Sequence, residues 1–111
     1  MTSEVFRQQL AAMAAEYGAS LPAKLDELQA MWLATRNGGA PEPLDQLRRA
    51  LHTMAGTAGT FGLRAVMDSA RAAESFIEPF CASPANLKSD DHAAFDALLA
   101  AVRASVSATA K

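Results

Sequence analysis

The chain holds two histidines, and one of them opens the stretch His52-Thr53-Met54-Ala55-Gly56-Thr57-Ala58-Gly59-Thr60-Phe61-Gly62. An imidazole titrates close to neutral pH, so at pH 7 much of it is uncharged, with a lone pair free to attack an electrophile. It needs no neighbouring base for this, only access and orientation. Three of the chain's six glycines follow His52 with G-x-x-G-x-x-G spacing. Each glycine inside a helix costs about 1 kcal/mol against alanine, so three in an alanine-rich stretch require a reason. A phosphate-cradling loop is not that reason. The spacing is neither G-x-G-x-x-G nor a loop ending in Gly-Lys-Ser/Thr, and no strand precedes it.

A helical wheel at about 100° per residue puts Leu47, Leu51, Met54, Ala58 and Phe61 on one side, the expected core face. His52 lies nearly opposite, so its ring is expected to reach solvent. Gly56 and Gly59 fall on the same outward side and strip side chains from the surface beside the ring. Gly62 stands where the helix should end. Two reasons remain for Gly56 and Gly59: close packing of a neighbouring helix, or access for a second protein that brings its own active site onto the imidazole. Both can hold.

The elements that must position His52 read as five helical segments. The first covers about Ser3 to Tyr17, with Phe6, Leu10, Met13 and Tyr17 on one face. Gly18 ends it, Ser20 caps the second, and Pro22 sits in the second helix's first turn. Leu21, Leu25, Leu28 and Trp32 form the second stripe. Gly38 to Pro43 (GGAPEP) reads as a connector. The third helix starts near Leu44 and carries His52. The fourth runs from about Leu63 to Phe80, with Leu63, Val66, Met67, Ala70, Ile77 and Phe80 inward. Cys81 to Lys88 is a loop. Ser89 caps the last helix, Asp90 and Asp91 suit its positive end, and Phe95, Leu98, Leu99, Val102 and Val106 are its stripe. The expected architecture is all-α: an antiparallel up-and-down four-helix bundle with an additional N-terminal helix, one domain over residues 1–111.

Composition narrows the function classes. Half of the 111 residues are apolar and only 6% aromatic, which suits close-packed helices. A formal charge of −2 gives no broad attraction to nucleic acid or anionic lipid. The single cysteine, Cys81, excludes an internal disulfide and a cysteine-rich metal site, and reads as a small apolar residue. No apolar run is long enough to span a bilayer, and the N-terminus has no signal core. A soluble cytoplasmic protein is expected, and nothing demands self-association, so a monomer is expected too. Met1 reads as a natural start, so a complete small protein is expected, with a piece cut from a larger one as the alternative. His92, in the first turn of the last helix, reads as a cap-region or core-edge residue. Glu74 falls inside the apolar stripe of the fourth helix and must find a partner there; a structural network is the expected one.

His52-Thr53-Met54-Ala55-Gly56 followed by Gly62 resembles the signature of the histidine-containing phosphotransfer (HPt) family, H-x-[L/M]-K-G with a glycine ten positions after the histidine. The resemblance extends through Phe61 and the fourth-helix pattern to Ala73-Glu74, and the order of segments fits. It implies that His52 accepts a phosphoryl group and passes it on within a two-component phosphorelay. The partners it implies are receiver-domain aspartates or a hybrid sensor kinase. Mg²⁺ and the carboxylates that stabilise the transferring charge then belong to the receiver, and this chain needs no cofactor. With no Walker loop and no kinase motif, the chain is expected to be a phosphocarrier without autonomous kinase activity. The alternative is a phosphorylation-silent bundle that binds a receiver or kinase as scaffold or competitor.

One departure keeps that alternative in view. The family usually has lysine where this chain has Ala55, beside the phosphoryl group. Arg48 and Arg49, one turn before His52, are the nearest candidates to stand in, with Gly56 and Gly59 as the surface a partner would touch. Ala55→Lys is expected to lengthen the half-life of phospho-His52 by adding a cation next to it. An unchanged or shortened half-life would count against this account of the position.

Overall fold

In the computed structural model, which describes residues 2–38 and 41–109, the chain forms four α-helices, with no strand among those residues. They are α1 (Thr2–Gly38), α2 (Pro41–Thr60), α3 (Arg64–Ile77) and α4 (Ser89–Thr109). Two 3-10 turns, Glu78–Phe80 and Pro84–Asn86, link α3 to α4. Each helix packs on the next, and α4 returns to pack on α1.

The first two expected helices are one. α1 runs unbroken through Gly18 and Pro22. Ser20 caps nothing; its hydroxyl donates to the Tyr17 carbonyl at 2.6 Å. Pro22 removes an amide donor that would have bonded the Gly18 carbonyl. Packing outweighs that loss. Tyr17, Leu21, Leu25, Leu28 and Trp32 form a single stripe across the supposed break, and the last four are buried. Tyr17 packs on Phe61 at a ring separation of 5.6 Å and its hydroxyl donates to the Met54 carbonyl at 3.3 Å. Both sides of Gly18 are thus held against α2.

A helix of 37 residues is about 55 Å long, and it sets the 56 Å length of the molecule. α2 has only 20 residues, so it cannot cover all of α1. The N-terminal half of α1 overhangs, and Val5, Phe6, Leu10 and Met13 are exposed there. The expected inward stripe of Phe6, Leu10 and Met13 is therefore not core; of that set only Tyr17 packs against it.

α2 also starts earlier than the expected Leu44. Pro41 and Pro43, assigned to the connector, lie in its first turn, where amide donors have no helical partner in any case. Gly39 and Ala40 of that connector lie outside the described residues. The end of α2 is as expected. Gly62 adopts φ +74°, the Leu63 amide donates to Ala58 at 2.8 Å and the Gly62 amide to Gly59 at 3.2 Å, which satisfies two terminal carbonyls. At α4 the cap is Lys88 rather than Ser89: the Asp91 carboxylate accepts from the Lys88 amide at 3.0 Å, and the first helical bond runs from His92 to Lys88.

Trp32, Phe95, Leu21, Leu28, Leu44, Leu47, Leu51, Ile77, Val66 and Val102 fill the core. Burying side chains of this size stabilises by about 1.5–3 kcal/mol each. The Trp32 indole stacks edge-on to Phe95 at 4.6 Å and donates to Asp96 at 2.7 Å, so its polar edge is satisfied. His92 lies half-buried, edge-on to Trp32 at 5.5 Å, a core-edge residue. Cys81 is half-buried, its thiol donates to the Ile77 carbonyl, and burial pushes its pKa up, away from the reactive thiolate. The seam between α2 and α3 is built from small residues: Ala55 and Ala58 on one side, Ala70 and Ala73 on the other, all buried.

Gly62 is the position where the backbone itself demands glycine. Gly62→Ala is expected to lower unfolding stability by about 1–2 kcal/mol, the penalty of the left-handed region for an L-residue; chemical denaturation measures it.

Candidate functional site

Two contacts fix the register of the α2–α3 seam. His52 meets Glu74, and Gly59 meets Met67, about two turns along on each helix and in opposite chain order. The two helices therefore run antiparallel with His52 and Glu74 face to face. His52 Nδ1 lies 2.9 Å from Glu74 Oε2. The Glu74 side chain is 14% exposed and the His52 side chain 73%. Glu74 emerges from an apolar stripe of Ala70, Ala73 and Ile77, and the partner such a carboxylate needs is the imidazole itself.

This contact orders the ring. A carboxylate oxygen only accepts, so Nδ1 carries the proton. Nε2 then holds the lone pair, on a side chain that is mostly open to solvent. In the uncharged form of the ring, this arrangement leaves Nε2 as the nitrogen that can act as a nucleophile, with its orientation set by a neighbour.

An open depression surrounds the ring, lined by His52, Ala55, Gly56, Arg71, Glu74, Ser75 and Glu78. The two outward glycines have different reasons. A Cβ on Gly59 would stand 2.9 Å from Met67 Sδ, so Gly59 makes room for the Met67 side chain of α3. A Cβ on Gly56 would meet nothing within 4 Å, so packing does not explain that glycine. It leaves the wall beside His52 bare.

The other expected site residues are placed less simply. Ala55 is only 2% exposed. It forms part of the floor of the depression and offers little surface for a partner to touch, because its methyl is spent in the α2–α3 seam. Arg48 and Arg49 do not line the depression. Both turn back to Asp45, at 3.2 and 3.0 Å, because that carboxylate sits three and four residues earlier on the same helix. Arg49 instead borders an apolar groove between α1 and α2, with Tyr17, Leu28, Met31 and Met54 in its walls. Gly62 is remote from the ring and ends the helix.

Sequence reasoning singles out Glu74 without its partner and misses Arg71 altogether. Glu74 was visible as a carboxylate in an apolar stripe, but its partner follows only from the seam register. Arg71 gave no signal of its own; it precedes Glu74 by one turn and lines the same depression.

The sequence model of the Hpt domain family matches residues 5–107 of this chain. Neither a curated protein nor a solved structure matches it. The matched span contains His52, Glu74 and the whole depression around them, and draws on all four helices. The chain belongs to the Hpt domain family.

Proposed function

We propose that His52 is the phosphoryl acceptor of a phosphorelay, receiving from a receiver-domain aspartate or a hybrid sensor kinase and delivering to another receiver aspartate. Family membership makes the chain a phosphotransfer-capable module of two-component signalling. One observation carries the finer reading: Glu74 holds Nδ1 while most of the ring stays open to solvent.

The chemistry follows from that geometry. Nε2 attacks the phosphorus of an aspartyl phosphate in line. The Nε2–P bond forms, the P–O bond to the aspartyl carboxylate breaks, and its electron pair leaves on that carboxylate. The Nδ1 proton stays in place. The ring gains positive charge as Nε2 bonds phosphorus, and the Glu74 carboxylate on the far side stabilises it. A receiver supplies Mg²⁺ and its own carboxylates for the transferring charge. This chain supplies the nucleophile and the surface, and acts as a phosphocarrier without kinase activity of its own.

The same reading takes the bundle as up-and-down antiparallel, in keeping with the α2–α3 register, and the protein as a cytoplasmic monomer. Among the described residues no helix is long and apolar enough to cross a membrane. The α1–α2 groove, with Thr53 on its edge next to His52, is a surface on which a receiver helix can rest. A second reading, a phosphorylation-silent binder of receivers or kinases, draws support from Ala55 alone.

Incubation with a phosphorylated receiver separates the two. Acid-labile, base-stable label is expected on the wild type and absent from His52→Gln; binding without label on the wild type supports the silent binder. Glu74→Ala is expected to slow labelling about tenfold, the rate equivalent of one lost hydrogen bond to a charged group, with Glu74→Gln in between because it keeps an acceptor at Nδ1. Labelling of Glu74→Ala at the wild-type rate would remove Glu74 from the mechanism.

A further inference from the structure

From the seam register we infer that Arg71 is the cation that holds the phosphoryl group on His52, supplied from α3 in place of the lysine that α2 lacks. The inference rests on His52 being the phosphoryl acceptor.

Ala55 lies three residues after His52 on α2, and Arg71 lies three residues before Glu74 on α3. His52 meets Glu74, and Gly59 meets Met67 further along. Between those two contacts the antiparallel register sets Ala55 opposite Arg71. The position where a lysine would rise from α2 is thus faced across the seam by an arginine.

The surroundings make a cation necessary. Besides Arg71, the ionisable side chains lining the depression are His52, Glu74 and Glu78. A phosphoryl group on Nε2 would add negative charge beside two carboxylates. Among the described residues Arg71 is the Lys/Arg cation that lines this depression, it is exposed, and it makes no ion pair there. Arg48 and Arg49, by contrast, are both engaged with Asp45.

Gly56 supplies the room. It is one turn from His52 and adjacent to Ala55, and the space where its side chain would stand is empty. A guanidinium extended from Arg71 over that bare wall presents a planar fork of donors to phosphoryl oxygens. The alanine at position 55 fits the same scheme: it lets α2 and α3 close tightly, which brings α3 near enough for its own arginine to serve.

The test uses the whole chain and phosphoramidate as a small phosphodonor, so that no receiver contact enters. The wild type, His52→Gln, Arg71→Ala, Arg71→Glu and Arg71→Lys are labelled, the donor is removed, and the decay of phosphohistidine is followed. Arg71→Ala is expected to shorten the half-life about threefold, in the range of an exposed charge-assisted contact. Arg71→Glu is expected to shorten it further, and Arg71→Lys to retain most of it. All three are expected to melt with the wild type, since Arg71 is exposed and unpaired. A wild-type half-life in both Arg71→Ala and Arg71→Glu, with His52 labelled, overturns the role of Arg71 and leaves His52 as acceptor. No label at His52 from either phosphoramidate or a phosphorylated receiver overturns both.

Discussion

The close approach of α2 and α3 is the constraint on which the site depends. Ala55, Ala58, Ala70 and Ala73 are buried between the two helices, and Gly59 yields to Met67. A side chain longer than a methyl at Ala58, Ala70 or Ala73, all fully buried, would push the helices apart, since cores resist added volume. The 2.9 Å contact between His52 and Glu74 sits at this seam, and a carboxylate that has to cross a wider gap would leave the imidazole free to rotate. The alanines of the seam therefore do more than fill space. They set the distance between the helix that carries His52 and the helix that orients its ring.

Around that fixed pair the surface divides its tasks. Gly56 keeps the wall next to the ring bare. Glu74 is nearly covered and Arg71 is open, so one charge is committed to the ring and the other faces solvent beside it. The arginines of α2 are engaged with Asp45 on their own helix. The rest of the molecule, from Trp32 and Phe95 to the Gly62 turn, serves to hold two helices in register.

Much of this was legible in the residues. The outward position of His52, the end of α2 at Gly62, and the stripes of the later helices follow from a period of 3.6 residues and from the special backbone of glycine. The errors have a common origin in tertiary context. Gly18 and Pro22 are strong local breakers, yet packing on both sides of them carries α1 straight through. The stripe of Phe6, Leu10 and Met13 has the helical period, but periodicity cannot tell that the partner helix is too short to reach it. Arg48 and Arg49 are near His52 in sequence, while Arg71, remote in sequence, is near it in space. Only the register of the seam, which no local pattern encodes, joins Glu74 to His52.

With Glu74 on Nδ1, Nε2 is the proposed reactive atom. The most direct measurement of that claim is the site of attachment on the phosphorylated ring, read by ¹⁵N and ³¹P NMR of protein labelled at histidine. The phosphoryl group is predicted on Nε2 of His52, with the Nδ1 proton still bonded to Glu74. A phosphoryl group on Nδ1, or on any residue other than His52, would contradict it.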